Sequence, residues 1–231
     1  MTISESPVVF GTEDLLLSLC NSVTRVLTVA TQSQIHFSGM VQRINKTCLK
    51  PDIGCFVLFD GGFSGLVVIN FSAQSAMELY ESYMLNMGMA KGELASSHTS
   101  DEVSNVMGEL MNQIVGDFTG KVARELQTHI TQNQPKMLVL TKQVMLSVDT
   151  NLDKPEARRV TFFTGRNNIF YLELAIDRTE FIKLFDFDPN ETNDPDELIA
   201  QAATDKKTKS APVTPPAQSQ DQDDLLDSLG M

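Results

Sequence analysis

Apolar residues recur at three- and four-residue steps over about 12–30, the spacing of one helix face, and predict a first helix there. Strand-like runs follow at about 34–44, 54–59 and 65–71, and a second helix over about 75–87. The same order of signals then returns. A long helix is predicted at about 100–130, strands near 137–148, 159–163 and 169–175, and a short helix at about 178–185. The order α-β-β-β-α thus occurs twice, in halves of about 10–90 and 98–187. A repeated unit dictates architecture. It predicts an α+β fold with a pseudo-two-fold repeat, antiparallel sheets and long helices. No G-x-G-x-x-G or P-loop spacing occurs.

Composition changes beyond 187. From Asp186 to Met231 eleven acidic residues stand against Lys206, Lys207 and Lys209, among many Pro, Ser, Gln and Asp. Such a stretch buries too little apolar surface to offset its ordering entropy. The expected organisation is a folded domain over 1–187, a disordered acidic linker over 188–220 and a distinct terminal peptide over 221–231. The net charge of −12 makes duplex DNA and anionic lipid poor partners and favours a partner with a basic surface. No apolar run is long enough to cross a bilayer, and the N-terminus has no basic-then-apolar leader. Cys20, Cys48 and Cys55 are an odd set without framework spacing, which predicts reduced thiols and a cytoplasmic protein. His36, His98 and His129 show no ligand spacing, so no metal of its own is expected.

The long helix carries the candidate chemistry. Thr99 is placed to cap it, with Glu102 completing a capping box. Val103, Val106, Met107, Leu110, Ile114 and Phe118 form an apolar stripe for the core. On the other side run Glu102, Asn105, Glu109, Asn112 and Gly116, extended by Gly120 and Ala123. Glycine inside a helix costs about 1 kcal/mol relative to alanine, so Gly116 and Gly120 predict close approach of another backbone. By helix pattern alone, Glu and Asn on an outer face are ordinary solvated residues.

Glu109, Asn112 after two intervening residues, and Pro135 after twenty-two more give a specific spacing. It resembles the signature of the CheC/CheX/FliY family of CheY phosphatases: Asp or Ser, three residues, Glu, two residues, Asn, twenty-two residues, Pro. The string GELMNQIVGDFTGKVAREL is also similar to that family's helix. The resemblance implies a phosphatase acting on the aspartyl phosphate of a CheY-like receiver. Asn112 would hold the attacking water, as a glutamine does in other phosphoryl transfers. Glu109 would engage the receiver's active-site lysine, and Pro135 would shape the loop into the next strand. The Mg²⁺ of such a reaction belongs to the receiver. Asn105 stands at the family's Asp/Ser position. In the first half the matching residues are Asp14, Ser18 and Asn21, with Ile44 in place of the proline. One working site is therefore expected, with the first-half copy left to packing or docking. The same family includes flagellar-switch proteins, so a non-catalytic CheY-binding module is the alternative. A structural adaptor that only recruits a receiver is a third reading.

The terminal peptide resembles the one by which CheZ grips CheY. Asp223 and Asp224 suit a helix N-terminus, and Leu225, Leu226 and Leu229 form a short apolar face ending at Met231. The resemblance implies a helix that folds on the receiver. A flexible tether of about 35 residues spans roughly 30–35 Å, holding that receiver near the domain at about millimolar effective concentration. The receiver's identity, and whether the chain is a monomer or homodimer, are left open by the sequence.

Overall fold

The computed structural model describes residues 9–183. The acidic linker and the peptide with Asp223, Asp224, Leu225, Leu226, Leu229 and Met231 lie outside the described residues. In chain order the elements are β1 (Val9–Phe10), α1 (Thr12–Thr31), β2 (His36–Ile44), β3 (Thr47–Leu49), β4 (Ile53–Gly61), β5 (Gly65–Phe71) and α2 (Ala73–Asn86). After a 3₁₀ turn at Lys91–Glu93 come α3 (Asp101–Glu125), β6 (Ile130–Gln132), β7 (Lys136–Val139), β8 (Leu146–Val148), β9 (Pro155–Phe163), β10 (Ile169–Asp177) and β11 (Phe181–Ile182).

The architecture is a mixed helix and antiparallel-sheet fold. Seven strands form the main sheet in the order β2-β9-β10-β5-β4-β6, with β7 also paired to β4. The central pair, β5 with β10, joins strands far apart in sequence, with Val67 opposite Leu174 and Ile69 opposite Leu172. Strand residues point alternately to the two faces of a sheet, and β5 shows why both faces are covered. Val67, Ile69 and Phe71 join the main core with Leu19, Val23 and Leu27 of α1 and Met107, Ile114 and Phe118 of α3. Leu66 and Val68 join a smaller cluster on the other face with Leu49 and Leu140.

That second face is held by polar groups as well. Buried Glu173 of β10 accepts from Arg159 Nε at 2.8 Å and from the Cys48 backbone N–H at 2.9 Å. Asn70 of β5 donates to the Cys48 carbonyl at 2.9 Å and accepts from the Lys50 N–H at 2.6 Å. Both side chains thus fasten the β3–β8 ribbon to the sheet. Buried polar groups of this kind are stable only because each is paired.

Several expectations are corrected. The segment expected as a helix over 178–185 contains β11, whose Phe181 and Ile182 pair with Phe10 and Val9. The long helix stops at Glu125 rather than near 130, because Gln127 turns left-handed (φ 50°) and the Thr128 N–H returns to the Ala123 carbonyl. The single strand expected over 137–148 is two, split by a turn in which the Val144 N–H donates to the Thr141 carbonyl. The short strand β3 was not anticipated. Among the described residues no helix is long and apolar enough to cross a membrane.

Candidate functional site

Helix α3 begins one residue later than expected. Ser100, not Thr99, caps it, its hydroxyl accepting from the Val103 N–H at 3.3 Å. Thr99 instead hydrogen-bonds Ser97. Glu102 is held by the buried Tyr80 hydroxyl, which donates to it at 3.2 Å and accepts from the Ala95 N–H at 3.0 Å. The first turn of α3 is thereby tied to α2.

With Val103, Met107, Leu110, Ile114 and Phe118 buried, the opposite stripe faces outward, and Asn105, Glu109, Asn112 and Gly116 are all exposed. Glu109 and Asn112 sit one turn apart on this stripe, close enough to act on one ligand. Glu109 accepts from Gln113 Nε2 at 2.9 Å, which orients its carboxylate along the helix.

Asn112 has a partner that the spacing did not reveal. Gln132, the last residue of β6, donates from Nε2 to Asn112 Oδ1 at 3.1 Å. Its other end accepts from Thr119 Oγ1 at 3.3 Å. Gln132 therefore lies along α3 past Gly116. A Cβ added at Gly116 would meet Gln132 Nε2 at 3.8 Å, an ordinary contact. At Gly120 the nearest atom would be Arg124 Nη1, at 3.7 Å. The close backbone approach expected at these two glycines is thus not found.

The close approach occurs elsewhere. Gly61 (φ +153°) and Gly62 end β4, where an added Cβ would collide with the His129 carbonyl and the Thr128 side chain respectively. The Gly62 N–H donates to that same carbonyl at 3.0 Å. These glycines let the chain leaving α3 turn tightly against β4, pairing Ile130 with Gly61 and Gln132 with Phe59. Pro135, half-buried, stands immediately before β7. Its fixed φ suits the entry to a strand at the sheet's edge.

The first-half residues are arranged differently. Asp14 accepts from the Gly11 N–H at 2.9 Å and so closes the first turn of its own helix. Asp14, Ser18 and Asn21 border a cleft of about 280 Å³ whose other wall includes Lys121, Val122 and Glu125 of α3. Between the helices, Asp117 of α3 meets Arg25 of α1, and Lys121 approaches it at 2.9 Å. Burial works against the Asp117 charge, but the Lys121, Ser22 and Arg25 side chains outweigh it and hold the carboxyl below its ordinary range. Burial pushes the Cys20 thiol up to about 12, and Cys55 further, so neither is a nucleophile near neutral pH.

Comparison with known proteins places this geometry. A family model described as a protein of unknown function, DUF3334, matches residues 6–231. No curated protein matches the chain in sequence. Among solved structures, the chemotaxis protein CheX from Desulfovibrio desulfuricans superposes with a TM-score of 0.59 at 16% identity, over 71% of this chain and 99% of that one. CheX from Vibrio vulnificus gives 0.58 at 13% identity, over 71% and 99%. A chain of the CheX–CheY–BeF₃–Mg²⁺ complex from Borrelia burgdorferi gives 0.51 at 15% identity, again over 71% and 99%. The fold is that of the CheX-like chemotaxis proteins, as the spacing of Glu109, Asn112 and Pro135 had implied.

Proposed function

We propose that this chain, which belongs to the DUF3334 family, is a phosphatase of a phosphorylated CheY-like receiver domain. The observation that carries the reading is the exposed pair Glu109 and Asn112, one turn apart on α3 of a CheX-like fold. A solved relative of that fold is complexed with CheY, BeF₃ and Mg²⁺, which supports a receiver as the partner here.

An aspartyl phosphate is already reactive, so the catalyst's task is placement. Asn112 holds a water in line with phosphorus. The water oxygen forms a bond to phosphorus as the bond to the aspartyl oxygen breaks, and the electron pair returns to the receiver's carboxylate. Both hydrogens of the water end on the inorganic phosphate, released as H₂PO₄⁻, which then equilibrates with solvent. Glu109 engages the receiver's active-site lysine and fixes the approach. The receiver supplies Mg²⁺, and this chain brings no cofactor. Misplacing the water by about 1 Å costs on the order of 10²-fold in rate.

The order of strands supports reading the two halves as a repeat, since β2 of the first pairs with β9 of the second and β7 of the second with β4 of the first. In that repeat only the second half keeps the Glu and Asn pair. Residues 221–231 would tether the receiver in the cytoplasm, beside either a monomer or a homodimer.

The test is a dephosphorylation assay on CheY charged with acetyl phosphate, with Mg²⁺ present. Asn112→Ala is expected to lose about 10²-fold in rate while receiver binding persists. Equal rates for variant and parent would overturn the reading. Binding by the parent without any acceleration would establish the non-catalytic alternative instead.

A further inference from the structure

The water-holding role given to Asn112 needs more than an exposed amide. A carboxamide rotates about its last side-chain bond, and a half-turn exchanges its acceptor oxygen with its donor nitrogen. An exposed asparagine on a helix face would sample both. Geometry for in-line attack tolerates only one.

We propose that Gln132 is a positioning residue that fixes the rotation of the Asn112 carboxamide, with Thr119 fixing Gln132 in turn. Three observations carry this. Gln132 Nε2 donates to Asn112 Oδ1 at 3.1 Å, occupying one lone pair of that oxygen. Its own oxygen lies 3.3 Å from Thr119 Oγ1, so both ends of the Gln132 amide have a partner on α3, and a flip of Gln132 would set its oxygen against Asn112 Oδ1, acceptor to acceptor. Gln132 is also placed by the sheet rather than by α3, through its pairing with Phe59 and the tight turn at Gly61 and Gly62. The result is a strand-borne amide that braces a helix-borne one from outside the helix. One lone pair of Asn112 Oδ1 and both hydrogens of Nδ2 remain for water and the phosphoryl oxygens. Thr119 is buried, its Oγ1 2.9 Å from the Val115 carbonyl and 3.3 Å from Gln132 Oε1, and its one hydroxyl hydrogen is shared between these two acceptors.

This inference rests on the phosphatase reading, and the experiment separates the two. Steady-state dephosphorylation of CheY charged with acetyl phosphate is measured for Asn112→Ala, Gln132→Leu, Gln132→Glu, Thr119→Val and Thr119→Ser, each checked for an unchanged unfolding midpoint. Gln132→Leu is expected to lose about 10- to 100-fold in kcat with KM for the receiver within about twofold, as loss of orientation alone predicts. Gln132→Glu keeps the shape but presents an acceptor to Asn112 Oδ1 at neutral pH. Its kcat relative to the parent should rise as pH falls from about 8 towards 5, because a protonated carboxyl donates again. Thr119→Val should lower kcat about three- to tenfold, and Thr119→Ser should restore it.

Full kcat in Gln132→Leu alongside an inactive Asn112→Ala overturns the positioning role and leaves the phosphatase reading intact. A rise in KM with unchanged kcat also overturns it, making Gln132 a docking contact. Full activity in Asn112→Ala overturns the phosphatase reading itself.

Discussion

Helices α1 and α3 carry comparable outer stripes, Asp14, Ser18 and Asn21 on one and Asn105, Glu109 and Asn112 on the other, yet their surroundings differ. Asp14 is engaged by the Gly11 N–H at the start of its own helix. The α1 stripe borders a cleft with apolar Phe10, Leu15, Leu17 and Leu126 among its walls. The α3 stripe is bordered by two amides, Gln113 against Glu109 and Gln132 against Asn112. Part of the difference lies in the first main-sheet strand after each helix. After α3 that strand, β6, ends in a side chain that reaches back to the helix. After α1 it is β2, which begins with His36, its ring stacked on Phe163 at 5.2 Å. An asparagine on a helix is unremarkable until something off the helix fixes its direction.

The sharpest way to break this comparison is to remove the amide from each helix in turn. Asn112→Ala should lower the dephosphorylation rate about 10²-fold. Asn21→Ala should leave it unchanged, because α1 lacks both the carboxylate and the bracing amide. Equal losses in the two variants would show that both stripes work, and the contrast would fail.

A smaller effect is expected from charge. Glu109→Gln keeps the side chain's size and its contact with Gln113 but removes the charge offered to a receiver lysine. A loss of about tenfold in kcat/KM is expected, with weaker salt dependence than in the parent. Ser18→Glu supplies the carboxylate that α1 lacks, but not a bracing amide. Activity in the Ser18→Glu, Asn112→Ala double variant should therefore stay at the Asn112→Ala level. Recovery there would show that a carboxylate alone makes a site.

The motif on α3 was legible because it is local. One helix periodicity sets Val103 to Phe118 inward and Glu109 and Asn112 outward, so burial follows directly from spacing. The central strands were legible because β5 and β10 are covered on both sides and read as nearly continuous apolar runs. Elements decided by distant partners were not. The short helix expected over 178–185 yielded to pairing of Phe181 and Ile182 with β1, a contact that no window of sequence contains. The end of α3 carries no glycine, since Gln127 itself adopts the left-handed conformation. Gln132 was missed for a similar reason. It sits between Asn112 and Pro135 in sequence, but its placement depends on Gly61 and Gly62, some seventy residues earlier. A glycine pair ending an apolar strand was the available signal, and it marks a close approach rather than chemistry.

The smallest expected effect concerns the contact between the two helices themselves. Asp117 of α3 joins Arg25 of α1 and Lys121 of its own helix, and these neighbours hold its carboxyl below the ordinary range. A carboxyl whose folded value is depressed stabilises the protein fully above its unfolded value, and that contribution disappears as pH falls through the folded value. Asp117→Asn should therefore unfold at lower urea than the parent at pH 7, by under about 1 kcal/mol because Arg25 is largely exposed. The two urea midpoints should converge as pH falls through the parent's depressed carboxyl value, where that group is also protonated. Dephosphorylation at neutral pH should be unchanged, because Asn112 is braced from the sheet through Gln132 and not from α1. A variant that lost activity in proportion to stability would tie the α3 stripe to its packing on α1. The difference between the helices would then be one of shared support, not of separate bracing.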